Sequence, residues 1–312
     1  MAHGTAVPVN AADTTKEAGA LMTRAAWAAV GVASLLILLK TFAYIVTDSI
    51  AMMASLADSA LDLFASSINL IAIHHSLTPA DREHRFGHGK AEPLAGLVQA
   101  AFISGSVAFL SIESVSRLIE PHPIEKGWLA LTIMGVSIAI TIVLVAVQQI
   151  AVRRTGSVAV GADRLHYLGD LVTNLGVVVG VVLSTQFHLL EADPVIGLCI
   201  AAVLAWSAWH VFRQSYDQLM DRELPDADRE RIKKIVLANK DVRALHDLRT
   251  RAAGIATFIQ LHIELDPAMS LTRAHQVSDE VEAALCEAFP RAEVIIHQDP
   301  LGVEMPTPLA AH

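Results

Sequence analysis

The sequence predicts an α-helical membrane protein with six transmembrane helices, followed by a C-terminal cytoplasmic α/β domain in the order α-β-β-α-β. Hydrophobic residues make up 53% of the chain and charged residues only 18%, whereas soluble domains carry about 25% charged residues. The charge is also uneven, with 28 charged residues in the first 220 positions and 27 in the last 92. This composition excludes a soluble enzyme, a disordered protein and a secreted disulfide scaffold.

Six apolar stretches account for residues 21–220, which we define as the transmembrane domain. Each is close to the roughly 20 residues that a helix needs to cross the hydrocarbon core. Backbone groups in lipid must bond within their own segment, so these stretches are predicted to be helices. Residues 1–20 are small, polar and aperiodic, and we expect a disordered leader there. The six predicted helices cover about 21–46, 49–77, 92–119, 127–152, 157–186 and 194–217.

Lysine and arginine residues in the connections predict the orientation, because cytoplasmic loops carry an excess of them. The connection between helices 2 and 3 carries Arg82, Arg85 and Lys90, and the connection between helices 4 and 5 carries Arg153 and Arg154. The connections between helices 1 and 2 and between helices 5 and 6 carry none. Both termini are therefore expected on the cytoplasmic side.

The pattern changes at Asp221 to short mixed elements, which predict a second domain over residues 221–305. An amphipathic helix in "LPDADRERIKKIVLAN" is followed by two strands joined at Gly254, a second amphipathic helix in "SLTRAHQVSDEVEAALCEAF" and a last strand in "AEVIIHQD". This order predicts a small sandwich with its helices on one face of a sheet. Residues 306–312 are expected to be a disordered tail.

Several partners and cofactors are excluded by charge and composition. A net charge of −9 argues against nucleic acid, because a phosphate backbone needs a basic surface. Cys199 and Cys286 lie in different domains, which indicates neither a disulfide framework nor a thiolate metal site. The glycines near Lys90 lack the spacing of a phosphate-binding loop, so neither ATP hydrolysis nor an organic cofactor is expected. The chemistry must therefore use Asp, Glu and His.

Two pairs of ionisable residues lie within predicted membrane helices. Asp58 and Asp62 in helix 2, and His166 and Asp170 in helix 5, are each spaced i, i+4, which places each pair on one helix face. A charge at the bilayer centre costs a few kcal/mol, so each one needs an explanation. On facing helices the four would form a cage of three carboxylates and one imidazole, which suits tetrahedral Zn²⁺. The alternative is a set of interhelical hydrogen bonds.

Two further clusters of metal-ligand residue types lie outside the predicted membrane helices. The loop "DREHRFGH" brings Asp81, His84 and His88 close enough to share one ion, although such loop residues are usually only solvated. In the C-terminal domain, alternation places His262 on the polar face of its strand, and places His297 and Asp299 on one face of the last strand. His246 and His275 lie on another strand and on the second helix. The second predicted cluster comprises His246, His262, His275, His297 and Asp299.

The chain resembles the cation diffusion facilitator family, and within it the bacterial ferrous-iron/zinc efflux branch. The resemblance extends from about residue 21 to 300 and is carried by "LADSALDLFASSINL", "PADREHRFGHGKAEPLA", "ADRLHYLGD", "HDLRTR" and "VIIHQDP". It implies a homodimeric antiporter of the bacterial inner membrane that exports divalent metal in exchange for protons, with a metallochaperone-like cytoplasmic domain.

The resemblance also implies roles for the clustered residues. The four membrane residues match the transport site, and Asp81, His84 and His88 match a second site near the membrane surface. The five C-terminal residues match a binuclear site that would hold structural or regulatory ions. Lys90 and Asp221 match residues whose salt bridges interlock the two protomers.

Three alternatives to a proton-coupled zinc carrier are considered. A metal receptor without transport would use the C-terminal cluster for signalling and would not need a buried cage. A membrane metalloprotease would need a run such as His-Glu-x-x-His, which does not occur. A passive channel conflicts with one tight chelating site, because tight binding slows release. Zn²⁺ is the expected ion, and Cd²⁺, Fe²⁺ and Co²⁺ remain open.

Overall fold

The computed structural model describes residues 9–47, 50–119, 128–187 and 192–302 of the 312-residue chain. The described residues divide into two compact units, one over Gly19–Tyr216 and one that contains Asp217 and the residues after it. The first unit is helical and the second combines helices with a sheet. This division agrees with the change in charge density in the sequence.

The helical unit is built from six long helices in the described part of the chain. Parts of α1, α3, α4 and α6 are long and apolar enough to cross a membrane, namely Thr15–Val46, Ala91–Ser116, Gly135–Thr155 and Pro194–Leu219. Large apolar side chains such as Phe109 face outward, as expected for a surface in contact with lipid. The six helices are α1 (Val9–Thr47), α2 (Ile50–Ser76), α3 (Ala91–Ile119), α4 (Trp128–Thr155), α5 (Val158–Phe187) and α6 (Ala192–Leu219).

The first helix begins earlier than the sequence predicted. The structure has helix from Val9, so residues 9–20 of the expected disordered leader are helical, and residues 1–8 lie outside the described residues. The reason is compositional: residues 9–20 include four alanines, a lysine and a glutamate, which favour helix, and contain no proline. The expected tail from residue 306 also lies outside the described residues.

The helices of the first unit approach one another closely at small residues. A Cβ atom added at Gly169 would lie 2.6 Å from Leu204 Cδ2, and one added at Gly197 would lie 2.3 Å from Ser114 Oγ. Small residues at such contacts allow backbones to pack tightly within a membrane. Gly169 immediately precedes Asp170, so close packing against α6 fixes this part of α5.

Glu92 joins the start of α3 to the start of α5. Its carboxylate is fully buried, and Oε1 accepts hydrogen bonds from the backbone amides of Val158 (2.5 Å) and Ala159 (3.3 Å). The first amides of a helix have no partner within the helix, and a carboxylate at this end is favoured by the helix dipole. Glu92 therefore caps α5, the helix that carries His166.

The second unit confirms the order predicted from sequence. It contains α7 (Asp226–Leu237), β1 (Ala244–Ala253), β2 (Ala256–Leu265), α8 (Leu271–Ala288) and β3 (Ala292–Pro300). The sheet order is β1-β2-β3, with β1 and β2 antiparallel and β2 and β3 parallel. Ile232 and Val236 of α7 and Val277, Val281 and Leu285 of α8 pack with Ile259, Leu261, Ile263 and Leu265 of β2.

This packing leaves the two faces of the sheet chemically different. The odd-numbered residues of β2 from Ile259 to Leu265 are buried against the helices, as a period of two requires. The even-numbered residues, including His262 and Glu264, lie on the opposite face. The helices therefore cover one face, and the other face carries the predicted ligand residues.

Candidate metal sites

The structure brings three of the four predicted cage residues together between α2 and α5. His166 Nε2 lies 3.0 Å from Asp62 Oδ1 and 3.7 Å from Asp170 Oδ2. One ligand atom from each of the three lies within 4.8 Å of the others. Asp62 and His166 are buried. Two carboxylates and an imidazole this close could hold one metal ion, because each supplies a lone pair when deprotonated.

Asp58, the fourth predicted member, lies on α2 one helical turn before Asp62. Residues four apart on a helix share a face, so the backbone position is compatible with the cage. The Asp58 side chain lies outside the described part of the structure, and its membership stays a prediction.

A second polar layer lies one helical turn from the cage, and the sequence analysis missed it. The buried Asp163 of α5 accepts hydrogen bonds from Ser66 Oγ (3.3 Å) and Gln148 Nε2 (2.7 Å). Ser66 Oγ also shares a hydrogen bond of 2.8 Å with Tyr167 OH. The layer therefore links α2, α4 and α5 beside the metal ligands. Its signal was the first of the two acidic residues in "ADRLHYLGD", three residues before His166.

Lys40 is a second residue that the sequence analysis did not consider. It lies on α1 within Thr15–Val46, is 9% exposed, and donates from Nζ to Ser59 Oγ at 2.6 Å. Ser59 lies on α2 between Asp58 and Asp62. A lysine side chain of α1 thus reaches the acidic segment of α2, although its isolated position in an apolar sequence gave no sign of a partner.

The predicted loop site is assembled between α2 and α3. Asp81 Oδ1 accepts hydrogen bonds from the backbone amides of Glu83 (2.8 Å) and His84 (2.6 Å). His84 Nδ1 lies 3.4 Å from Asp81 Oδ1, and His88 Nε2 lies 3.5 Å from Asp81 Oδ2. The backbone hydrogen bond from His84 is the main cause that lowers the pKa of Asp81, so the carboxylate stays ionised and able to bind a cation.

A third histidine also lies at this loop. His75 of α2 is not part of the predicted cluster, but its ring lies 4.6 Å from that of His88, which in turn lies 4.5 Å from that of His84. Distances are between ring centroids. The structure therefore extends the loop cluster toward the end of α2.

Three histidines form a row across the sheet of the second unit. Strand register pairs His246 with His262 and His262 with His297. Asp299 is 4% exposed, and its Oδ2 lies 2.8 Å from His262 Nδ1 and 3.2 Å from His246 Nε2. Its Oδ1 lies 3.2 Å from His297 Nε2. The two oxygens thus face different histidines, so the carboxylate could bridge two ions.

Asp247 and Glu264 add two carboxylates to this row. The β1–β2 register shifts between His246 and Arg249, and Asp247 has a φ of 45°, which Asp tolerates better than most residues. This bulge brings Asp247 Oδ2 to 3.8 Å from His262 Nε2. Glu264 Oε1 lies 3.3 Å from His246 Nδ1. The sequence analysis assumed that side chains alternate strictly along the strand, and it missed Asp247 because a bulge adds one residue to a strand.

His275 lies apart from the row in the described chain. Its side chain is exposed, and its Nε2 lies 3.7 Å from Asp279 Oδ2, one turn further along α8. The role of His275 as a ligand stays a prediction.

The two residues predicted to interlock protomers lie in different units. Lys90 immediately precedes α3, and Asp221, with a φ of 54°, lies 3.4 Å from Arg251 Nη1 through Oδ2. Their pairing between protomers also stays a prediction.

A membrane-embedded helical unit with a buried carboxylate–imidazole cluster, joined to a small α/β unit, defines a membrane protein that handles metal cations. Comparison with known families gives the same class. The model of the cation efflux transmembrane domain matches residues 26–220, and that of the cation efflux protein cytoplasmic domain matches residues 224–301. The chain belongs to the cation efflux family, also called cation diffusion facilitators, and is a transporter, not an enzyme.

Two similar proteins match nearly the whole chain, and one solved structure matches a quarter of it. The cation-efflux pump FieF of Cronobacter sakazakii is 43% identical over 285 residues, which is 91% of this chain and 95% of that protein. FieF of Klebsiella pneumoniae is 42% identical over 286 residues with the same coverage. The solved metal-bound C-terminal domain of the CzcD transporter from Thermotoga maritima is 28% identical and covers 25% of this chain and 91% of that structure, with a TM-score of 0.24.

Proposed function

We propose that this transporter exports Zn²⁺ from the cytoplasm in exchange for protons. The observation that carries the proposal is the contact of His166 Nε2 with carboxylates from two helices, Asp62 on α2 and Asp170 on α5. An imidazole with carboxylates favours Zn²⁺ over ions that prefer octahedral oxygen ligands. Cd²⁺, Fe²⁺ and Co²⁺ are further candidate cargoes, and the FieF relatives are named as cation-efflux pumps.

All six helices cross the inner membrane of a bacterium in this proposal, with both termini in the cytoplasm. Four of them contain stretches that are long and apolar enough to cross a membrane. The other two, α2 and α5, carry the cage residues. Arg82, Arg85, Arg153 and Arg154 in the connections support the orientation.

The exchange follows from the chemistry of the ligands. Zn²⁺ sheds its water to enter the membrane, and Asp58, Asp62, His166 and Asp170 replace that shell. These groups bind metal only when deprotonated, so protons and metal compete for the same atoms. The cage loads from the cytoplasm, helices rock to open it outward, and protons displace the ion and return with the empty carrier.

The sites outside the cage have separate roles. Asp81, His84 and His88 bind an ion close to the membrane surface. His246, His262, His297 and Asp299, with His275, bind two ions in the cytoplasmic domain. Each ion ties separate elements together and so stabilises the folded domain.

The protein acts as a homodimer. The matched cytoplasmic domain is the dimerisation domain of the family, and a pair between Lys90 of one protomer and Asp221 of its partner interlocks the two copies at the membrane surface.

A metal receptor without transport is the second candidate. The histidine row favours it, because the row is partly open to solvent and bound metal could reach a signalling partner from that face. The buried contact between Asp62 and His166 is not required for such a role, so we prefer the carrier.

Zinc flux into proteoliposomes, with and without a pH gradient, tests the proposal. Saturable flux that follows the proton gradient and disappears in Asp170→Ala supports an antiporter that uses the cage. Zinc binding without flux in the wild-type protein would contradict transport and would favour the receptor.

A further inference from the structure

Lys40 is an ionisable residue inside a membrane-spanning helix. It lies within Thr15–Val46 of α1, and only 9% of its surface is exposed. An ammonium group in this setting is costly unless charges of opposite sign lie close by. Long lysine side chains near helix ends can reach the polar interface, but the Lys40 side chain is directed toward α2.

A hydrogen bond to α2 shows this direction. Lys40 Nζ donates to Ser59 Oγ at 2.6 Å, and Ser59 is fully buried. A hydroxyl accepts the hydrogen bond but does not neutralise the charge. Ser59 lies three residues before Asp62, a spacing that places these two side chains on one face of α2, and it directly follows Asp58 in the chain. The ammonium group is therefore held beside the acidic segment of the cage.

The summed charge of the cage residues then indicates a function for Lys40. The cage carries three negative charges from Asp58, Asp62 and Asp170 when these are ionised, with a neutral imidazole. Lys40 reduces the total to two, which a single divalent ion neutralises. Without Lys40, the loaded cage would retain one negative charge, and a net charge buried in lipid is unfavourable.

We propose that Lys40 is the resident counter-cation of the cage, a positioning residue that makes the loaded carrier neutral for one divalent ion. This inference rests on the proposed transport function. A fixed positive charge has two opposite effects on transport. It repels the incoming metal and so weakens binding, and it lowers the cost of moving the loaded cage through the membrane. Lys40 thus lowers the affinity for the metal and raises the rate of turnover.

The trade-off predicts a split between KM and kcat. Lys40→Met keeps the length of the side chain and removes the charge. We expect Zn²⁺ to bind at least about tenfold more tightly and kcat to fall at least about tenfold, because the Coulomb energy between unit charges is large at low effective dielectric. Lys40→Arg keeps the charge and should retain the wild-type Kd. Lys16→Met, the same substitution at an exposed position of α1, is the matched control.

The measurements are calorimetric Zn²⁺ titration of the full-length protein in detergent and Zn²⁺ flux in proteoliposomes. An unchanged Kd and kcat in Lys40→Met would overturn the proposal. So would an effect of Lys40→Arg equal to that of Lys40→Met, because geometry and not charge would then be responsible. If the wild-type protein binds Zn²⁺ without flux, the transport proposal fails, while the comparison of Kd values still decides the role of the charge.

A charge exchange keeps the test decisive if Lys40→Met does not fold. The double variant Lys40→Ser with Ser59→Lys moves the ammonium group to the other end of the same hydrogen bond. We expect it to restore the wild-type Kd for Zn²⁺. A folded double variant that binds Zn²⁺ as tightly as predicted for the neutral variant would contradict a counter-cation role.

Discussion

His166 Nε2 and Asp62 Oδ1 lie 3.0 Å apart although 104 positions separate these residues in the chain. The same nitrogen lies 3.7 Å from Asp170 Oδ2. A single ring nitrogen therefore faces two carboxylates, and it can carry a proton or coordinate a metal ion, but not both. In the proposed mechanism, the proton and the metal ion therefore compete for His166 Nε2.

Removal of either cage carboxylate should abolish transport. Asp62→Ala and Asp170→Ala each delete one ligand atom from a cluster that spans no more than 4.8 Å, and we expect Zn²⁺ affinity to fall by more than about 100-fold. Zinc flux in proteoliposomes measures the effect. Ser67→Ala is the control, since its hydroxyl bonds the carbonyl of Leu63 in its own helix. Wild-type flux in both Asp variants would remove the cage from the mechanism.

Replacement of His166 by Asp should change the preferred metal. An all-carboxylate cage loses the imidazole that favours Zn²⁺, so competition should shift toward Cd²⁺ or Mn²⁺. The measurement is inhibition of Zn²⁺ flux by each competing ion in His166→Asp and in wild-type protein. Unchanged competition profiles would show that the imidazole does not set selectivity.

The second polar layer should contribute to stability. Ser66→Ala removes the hydroxyl that joins Asp163 to Tyr167 and leaves buried polar groups without that partner. We expect a loss of about 1–3 kcal/mol in the free energy of unfolding, measured by thermal unfolding in detergent. Ser67→Ala again serves as the control. Equal melting temperatures in the two variants would contradict a structural role for the layer.

Metal should stabilise the second unit through Asp299. Zn²⁺ at 100 times its Kd adds about 2.7 kcal/mol to the free energy of unfolding. Asp299→Ala removes the carboxylate that contacts all three histidines of the row, so we expect this stabilisation to be lost. Hydrogen exchange of β2 amides with and without Zn²⁺ measures it. Glu287→Ala, at an exposed position of α8, should respond to Zn²⁺ like the wild-type protein.

Glu280 should make the attachment of α8 sensitive to acid. The hydrogen bonds from Asn239 and then from Arg273 lower the pKa of Glu280. A carboxyl group with a lowered pKa in the folded state stabilises the fold fully above its unfolded pKa, and this contribution is lost as pH falls through the folded pKa. The protection factors of α8 amides, which correct for the intrinsic pH dependence of exchange, should therefore fall below about pH 4. Glu280→Gln should flatten this acid response, and an unchanged profile would exclude Glu280 as its cause.

The sequence was sufficient for elements whose pattern is local. Hydropathy predicted α2 to α6 within a few residues of their observed bounds, although not the start of α1, and i, i+4 spacing predicted that Asp62, His166 and Asp170 could meet. Lys40 and Asp163 could not be assigned in the same way, because their partners depend on how helices are rotated against one another. Asp247 escaped notice since its position depends on a bulge, which strict alternation does not reveal.

The row of histidines has a consequence for how the sheet is assembled. His262 lies opposite His246 on one neighbour and His297 on the other. If β3 slipped by one residue, His297 and Asp299 would turn to the face covered by helices, because successive side chains point to opposite faces. In the proposed function, metal bound by the row would add binding energy only to the correctly aligned sheet. The bound ion would then favour the native strand register, and chains with β3 out of register would accumulate when metal is scarce during synthesis.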